Sequence, residues 1–588
     1  MTFIYDDPAA FAEDALIGLC DAYGHLLRHV PGGAVRRHAP EPKVAVLYCG
    51  GSGHYPAFAG VVGPGLGDGA VCGNIFTSPS TDNAVSVAKA ADRGRGLIFS
   101  YGNYAGDVMN FGLATDRLRA EGYRVENVIV TDDVASAPVT EIERRRGIAG
   151  DFTVFKAMGA AAERGDDFDE VVRIGRKAND ATRTMGVAFA GCTMPGADQP
   201  LFTIEPGVMG LGLGIHGEPG LDDVPLPRAS ELATVLVDRV LAERPAGATR
   251  AAVILNGLGA TKYEELFVLW KSVGQLLREA GITLVGAEVG ELVTSLDMAG
   301  TSLTVMYLDD ELEELWLAPA LTPAFQRGTV AMPEIVSDQP AATEPATPDP
   351  PGPLNSLRIR ADPANADESE RAPGTPASRE AATRVLRALH ATATRMRDAE
   401  SELGQIDAIA GDGDHGRGMV RGSAAAVAAA QPVAAAGVGV QDLLNAAGAS
   451  WADKAGGTSG VLWGAGLQAV GDTLGNDRAV GANEVVLAAR AFVARLQALG
   501  KAGPGDKTML DAAVPFVDAL AAAVAAGTPL PDAAAQAARV ATEAAQATAA
   551  LSPRVGRARP LAAKSVGTPD PGAVSFAMIV TEAHGALS

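Results

Sequence analysis

Between Ser337 and Ala377 the chain carries almost no large apolar side chain. "SDQPAATEPATPDPPGP" and "ADPANADESERAPGTPAS" are runs of Pro, Ala and acidic residues. Such a stretch cannot bury enough surface to offset the entropy of ordering it. It predicts an extended linker. The 588 residues are therefore expected to fold as two bodies. The boundaries read as 1–336, a linker over 337–377, and 378–588. The short "LNSLRIR" inside the linker could pair locally.

The two sides of the linker differ in texture. Before it, "KVAVLYCG", "GLIFSYG", "ENVIVTDD", "RAAVILNG" and "SLTVMYLDD" are short apolar runs, each followed by Gly, Asn or Asp. They predict buried strands. "MNFGLATDRLRAEG" and "ELATVLVDRVLAER" carry apolar residues at helical spacing. Alternation of the two predicts an α/β domain, long enough for two lobes. After the linker, β-branched runs are scarce. A helix is expected from Ser378 as N-cap, with Val385, Leu386, Leu389 and Met396 on one stripe. The predicted class is an all-α bundle or barrel with its polar motifs in the loops.

A net charge of −22 argues against a nucleic-acid surface and an anionic membrane. It leaves room for an anionic ligand held by backbone amides and metal ions. The cysteines, Cys20, Cys49, Cys72 and Cys192, show neither a CxxC spacing nor a paired framework. They predict a reducing compartment and no zinc site. "MTFIYDDPAAFAEDAL" lacks the basic and apolar regions of a signal peptide. "SAAAVAAAQPVAAAGVGV" is too interrupted for a membrane span. A cytoplasmic location is the expectation.

"IDAIAGDGDHGRG" (Ile406 to Gly418) places Asp407, Asp412 and Asp414 within eight residues. A solvated Asx turn is one reading. An EF-hand is another, but its ligand spacing and closing Glu are absent. The third is a magnesium site, in which hard oxygen ligands are turned inward by flexible glycines. "DKAGGTSG" offers a partner: Gly456, Gly457, Thr458 and Ser459 lead into an apolar helix, an anion cradle of N–H groups and hydroxyls. "GDKTMLDA", with Thr508 and Met509, and "KSVGTPDPGA" are further polar loops. Together with the aspartates they favour a nucleoside triphosphate site.

In the first domain, "CGGSGHYPAFAG" follows a predicted strand, which puts His54 where α/β ligand sites lie. The alternative is a capping or core histidine. "GLGLGIHGEPG" flanks His216 with Gly214 and Gly217, and Glu218 follows. "NYAGDVMNF" adds Asp107 in a loop between strand and helix. An acid and two histidines on separate loops can polarise a carbonyl and take a hydroxyl proton.

These motifs, in this order, resemble the dihydroxyacetone kinase family over nearly the whole chain outside the linker. "GGSGHYPAFAGVVG", "VCGNIFTSPST", "GNYAGDVMNF", "RRRGIAGDF", "IEPGVMGLGLGIHGEPG" and "TSLDMAGTSLTVMYLD" match the substrate domain. "DAIAGDGDHG", "AGGTSG", "GDKTMLDA" and "GTPDPGA" match the nucleotide domain. The resemblance implies an eight-helix barrel carrying ATP, with Asp407, Asp412 and Asp414 holding two Mg²⁺ ions. It implies nucleotide contacts from His415, Gly457, Thr458, Ser459, Thr508, Met509 and Asp570. In the first domain it implies that His216 bonds the ketone carbon as a hemiaminal. Asp107 takes the proton of the attacking hydroxyl, His54 hydrogen-bonds the substrate, and Gly51, Gly53 and Ser80 line the site.

Three departures stand out. Where the family often reads G-E-R-S, this chain reads Ala562-Ala563-Lys564-Ser565, and lysine loses the bidentate fork. Arg557 is then a second candidate for phosphate. Phe155 breaks a common His-Lys pair. Gly102 replaces a lysine that commonly precedes N-Y-x-G-D, which predicts a roomier substrate site. The expected substrate is therefore a four-carbon ketose, erythrulose, with dihydroxyacetone (glycerone) as the alternative. Both domains on one chain favour direct use of ATP over a phosphoenolpyruvate-fed carrier, and a homodimer is the expected assembly. A lyase activity on FAD, known for some relatives, is left open by these residues. A non-catalytic ligand-binding regulator is the rival of another class, with little use for this full set of side chains.

Overall fold

The computed structural model describes residues 2–37, 42–218, 220–330, 374–409, 411, 413–555 and 562–587. They fall into two compact units that divide inside the Pro- and acid-rich segment. No helix among the described residues is long and apolar enough to cross a membrane.

The first unit contains two large sheets. One is formed by β1 (Leu27–Val30), β2 (Gly33–Arg36), β3 (Ala45–Ser52), β4 (Gly69–Ile75), β5 (Leu97–Gly102) and β6 (Val125–Val130). Their order is β1-β2-β4-β3-β5-β6, and β4, β3, β5 and β6 run parallel. Val46, Leu47, Ile98 and Phe99 are fully buried, as continuous apolar strands covered on both faces must be. The other sheet is formed by β7 (Thr182–Ala190), β8 (Val208–Leu211), β9 (Asp222–Pro225), β10 (Arg250–Gly257), β11 (Thr283–Leu284), β12 (Glu288–Gly290) and β13 (Ala299–Tyr307). It is antiparallel along β10-β13-β7-β8-β9, with β11 and β12 both beside β10. The five strands expected from apolar runs are β3, β5, β6, β10 and β13. β7 is not visible as such in the sequence, because "TRTMGVAFA" follows a helix without a Gly or Pro break.

The helices of this unit are α1 (Phe11–Ala22), α2 (Thr81–Ala91), α3 (Ala105–Ala120), α4 (Asp151–Arg164), α5 (Phe168–Ala181), α6 (Ala229–Leu241), α7 (Tyr263–Glu279) and α8 (Asp310–Leu317). Val85 and Ala88 of α2 and Phe111 and Leu118 of α3 cover the outer face of the first sheet. Phe152 and Met158 of α4 and Ile174 of α5 share one core with Ile98 of β5 and Ile254 of β10, so these helices fill the space between the sheets. Leu236 of α6 and Leu269 of α7 pack on Val253 and Val305 and close the far side. α4 is buried on nearly all sides, which explains its run of Ala, Val and Phe. The C-terminal ends of β3, β5 and β6 deliver three loops into the crevice where α/β ligand sites form.

The second unit is helical throughout: α9 (Pro376–Asp398), α10 (Glu400–Asp407), α11 (His415–Ala435), α12 (Val440–Ala455), α13 (Gly457–Leu474), α14 (Ala482–Gly500), α15 (Leu510–Ala525), α16 (Leu530–Ala547), the short α17 (Ala562–Ser565) and α18 (Pro571–Leu587). The long helices pack in the cyclic order α9-α11-α12-α13-α14-α15-α16-α18, and α18 returns to α9. That closes an eight-helix barrel around Met396, Met419, Trp451, Trp463, Leu496 and Phe576. The N-cap of α9 is Thr375, not Ser378. Thr375 accepts from the Ser378 N–H at 3.3 Å, and Pro376 suits the first helical position. The Ser378 hydroxyl instead accepts from the Val440 N–H at 3.0 Å, holding α9 to the start of α12.

Candidate active site

His54 and His216 meet directly in the first unit. Their Nε2 atoms are 3.0 Å apart and both rings are buried. The Nδ1 of His54 lies 2.7 Å from the Thr294 carbonyl, and the Nδ1 of His216 lies 2.7 Å from Glu218 Oε1. Glu218 Oε2 accepts from the His216 backbone N–H at 3.0 Å. A carbonyl can only accept, so His54 Nδ1 carries a hydrogen. The same holds for His216 Nδ1 against the Glu218 carboxylate. Two neutral rings would then face each other with lone pairs. A bond between the Nε2 atoms needs one further proton between them.

The surroundings disfavour placing that proton on His54. Burial, with His216 nearby, pushes the His54 imidazole down to about 3. Phe76 stacks on His54 at 5.0 Å and meets His216 edge-on at 5.1 Å. Tyr104 meets His216 edge-on from another side at 4.9 Å. Gly214 lets Glu218 and Arg146 approach, since a Cβ there would stand 2.1 Å from Glu218 Oε2 and 2.6 Å from Arg146 Nη1. Arg146 is held in turn by Asp133, at 2.7 Å, and by the Gly212 carbonyl. Glu218 was visible in the sequence without a role. Tyr104 and Phe76 carried no signal beyond lying in the motif loops.

Asp107 is buried in the first turn of α3, directly after the end of β5. Gly51 lies on β3 against the backbone of Phe76 and Thr77, where a Cβ would come within 2.7 Å of the Thr77 nitrogen. Gly53, at φ +102°, makes the same close approach to the Phe76 ring. Ser80 caps α2 by accepting from the Asn83 N–H at 3.2 Å. Gly102 ends β5. A Cβ there would lie 3.0 Å from the Tyr104 ring and 3.1 Å from the Gly147 carbonyl. A side chain at this position would start out against Tyr104 and the loop around Gly147. Phe155 is fully buried and stacks on Tyr48 at 4.1 Å, a core position.

In the second unit four connections gather at one end of the barrel: those before α11, α13, α15 and α18. His415, the first residue of α11, bridges Ser575 Oγ at 2.9 Å and Ser459 Oγ at 3.4 Å. Gly456 and Gly457, at φ +65° and +59°, turn the chain into α13, so the N–H groups of Gly457, Thr458 and Ser459 open its N-terminus. The Thr508 N–H and the Gly505 N–H both donate to Asp511, at 2.7 and 2.5 Å, and Met509 caps α15. Lys507 reaches the carbonyls of Ser565 at 2.6 Å and Leu551 at 3.2 Å, tying this loop to the segment before α18. Asp570 accepts from the Ala573 N–H at 2.7 Å at the start of α18. Lys507 lies in the GDKTMLDA loop, and nothing in its sequence neighbourhood marks these two contacts.

Asp407 ends α10 and Asp414 precedes α11. The His415 N–H reaches Asp407 Oδ2 at 3.3 Å, and Gly411 leaves room for Asp407 Oδ1, which a Cβ would meet at 2.3 Å. Asp412 and Arg557 lie outside the described residues. The donor set fits Mg²⁺: hard carboxylates at facing helix ends, with acid in excess. Burial, then Asp511 and Asp407, pushes the Asp570 carboxyl up to about 7. Lys564 is exposed on the short α17.

Two family models match the chain: the Dak1 domain over residues 17–324 and the DAK2 domain over residues 409–585. A D-erythrulose kinase of Mycolicibacterium smegmatis is 56% identical over 581 residues, 98% of this chain and 97% of that protein. An L-erythrulose kinase of Pectobacterium atrosepticum is 48% identical over 594 residues, 100% of this chain and 97% of that protein. The crystal structure of the dihydroxyacetone kinase from C. freundii in complex with AMP-PNP and Mg²⁺ is similar at TM-score 0.51 and 29% identity, covering 99% of each chain.

Proposed function

Because this chain belongs to the dihydroxyacetone kinase family, we propose that it transfers the γ-phosphoryl group of ATP to a hydroxymethyl group of erythrulose. The observation that carries the chemistry is the His54–His216–Glu218 chain. It holds the two imidazole Nε2 atoms 3.0 Å apart, with Glu218 fixing His216 through Nδ1.

The reaction follows from that geometry. His216 Nε2 bonds the ketone carbon, the C=O π bond opens, and the proton shared with His54 passes to the carbonyl oxygen. The ring is left cationic, and Glu218 holds it through Nδ1. The Phe76 and Tyr104 rings keep bulk water from the adduct. A hemiaminal selects ketoses over polyols, because an alcohol has no carbonyl to capture. Asp107 takes the proton of the hydroxyl whose oxygen bonds the γ-phosphorus, while the bond from that phosphorus to ADP breaks.

On the helical unit, the N–H groups at the start of α13, with Thr458 and Ser459, hold the phosphates. Mg²⁺, when bound, neutralises the phosphate charge. Asp407 and Asp414 would hold it with Asp412, which is assigned from the sequence alone. The free thiols of the four cysteines suit a reducing, cytoplasmic setting. A homodimer is part of the reading, and light scattering tests it.

Erythrulose rather than dihydroxyacetone is supported by the two full-length erythrulose kinases named above. The test is a panel of both erythrulose enantiomers, dihydroxyacetone and glyceraldehyde with coupled ADP detection. Erythrulose should lead by about tenfold or more in kcat/KM. A tenfold lead for dihydroxyacetone over both enantiomers would restore the triose as substrate. Phosphoryl transfer from phosphoenolpyruvate and carrier proteins, with none from ATP, would reject the donor.

A further inference from the structure

Asp151 opens α4 and has no part in the chemistry above. It is 2% exposed, and its Oδ1 is buried without a hydrogen-bond partner among the described residues. It stands beside the sugar-capturing elements. A Cβ added to Gly147 would lie 2.9 Å from Asp151 Oδ1 and 2.4 Å from the Gly102 Cα, so the carboxyl and the end of β5 border the same point. Asp107 follows five residues after Gly102. Tyr104, whose ring packs on His216, donates its hydroxyl to the Gly147 carbonyl at 3.0 Å.

The neighbouring buried polar groups are already engaged. Both oxygens of Glu218 accept from His216. His54 Nδ1 is bound to Thr294. Asp132 accepts from the N–H groups of Ile148 and Gly150, at 2.9 and 2.8 Å. Asp133 is paired with Arg146. A buried acceptor left unmade is costly and asks for a ligand. Burial, with Asp132 and Asp107 nearby, holds the Asp151 carboxyl well above the usual carboxylate range. A buried carboxyl oxygen without a partner can accept from the hydroxyl of a ligand.

A four-carbon ketose has one hydroxyl more than dihydroxyacetone. His216 takes the carbonyl and Asp107 the reacting hydroxyl, which leaves the additional hydroxyl in need of a partner. We propose that Asp151 is the specificity-determining residue that hydrogen-bonds this additional hydroxyl. The assignment rests on the ketose-kinase reading and names the contact by which a tetrulose is told from a triose.

The test compares kcat/KM for erythrulose and dihydroxyacetone in the full chain and in Asp151→Leu and Asp151→Asn. Leucine keeps the branched shape and removes the polar atoms. The erythrulose-to-dihydroxyacetone ratio should fall roughly 10- to 100-fold in the leucine variant. Asparagine, which keeps a donor and an acceptor, should restore it to within about threefold. An unchanged ratio in Asp151→Leu, or equal losses on both sugars, overturns the assignment. Should Asp151→Leu fail to bind MgATP or to fold by circular dichroism, an erythrulose-bound crystal structure of the wild-type chain decides. A sugar hydroxyl within hydrogen-bond reach of Asp151 supports the assignment. All hydroxyls beyond about 3.5 Å overturn it. A wild-type enzyme inactive on both erythrulose enantiomers would instead sink the kinase reading itself.

Discussion

Around His216 each ring nitrogen has its partner inside the protein, and aromatic rings cover the rest. Around Asp407 the acids crowd one another on loops, and the half-buried carboxylates of Asp407 and Asp414 sit between helix ends. The first region is assembled from partners within the protein; the second gathers carboxylates at helix ends. Covalent capture of a small neutral sugar gains from a dry, fixed nucleophile, because binding energy is not spent on ordering it. A tetra-anionic nucleotide gains from a polar mouth that metal and backbone N–H groups complete.

The comparison breaks most visibly at His216. His216→Ala should lower kcat/KM for the ketose about a thousandfold, with MgATP binding kept in calorimetry. A loss of nucleotide affinity of the same size would mean that the two regions are not separate devices. Asp407→Asn should reduce turnover roughly 100-fold and make it steeply Mg²⁺-dependent. A ketose-soaked crystal of that variant should still show the sugar on His216.

Two buried lysines sharpen the contrast. Lys507 pins two loop carbonyls at the nucleotide end, whereas Lys156 donates to a single carbonyl, that of Leu315, inside the α/β core at 2.8 Å. Lys507→Met should raise KM for ATP about tenfold, since charge-assisted bonds to both carbonyls are lost. An unchanged KM would show that the loop is held elsewhere.

Lys156→Met should leave turnover alone and act on stability, by a few degrees in Tm. Burial pushes the Lys156 ammonium down to about 7. Between that value and the ordinary lysine value near 10.4, the unfolded chain binds more protons than the folded one. Wild-type stability should therefore rise with pH across that window. The methionine variant lacks this slope, so its advantage should be largest near pH 7 and shrink towards pH 10. Thermal melts at several pH values read it, and parallel curves would reject the buried-ammonium account.

Strands with continuous apolar runs, such as β3, β5 and β10, were legible because full burial leaves its mark on every residue. β7 was not, since a helix leads straight into it. The loops bearing His54, His216, Asp107 and Asp407 were legible through their glycines, which mark close approach of backbone. What those side chains touch was not. Glu218 acts through a two-residue spacing that also occurs in ordinary turns. Tyr104 comes to His216 from a different loop. Gly102 shows the limit best: the sequence marks a missing side chain, but not that Tyr104 and Gly147 are its neighbours.

The closed ring of helices has a consequence of parity. Eight antiparallel passes return the chain to the end from which it set out. The start of α9 marks that end, where the Thr375 N–H donates to the Asn476 carbonyl and Gly374 to Gly437, between helices. α18, the eighth pass, sets out beside Asp570 and runs back towards the start of α9. The barrel is therefore anchored at one pole and open at the other. Any pull on residue 374 arrives about 30 Å from the phosphate loops, through the length of the helices. A barrel of seven passes would have put one of its chain ends at the nucleotide mouth.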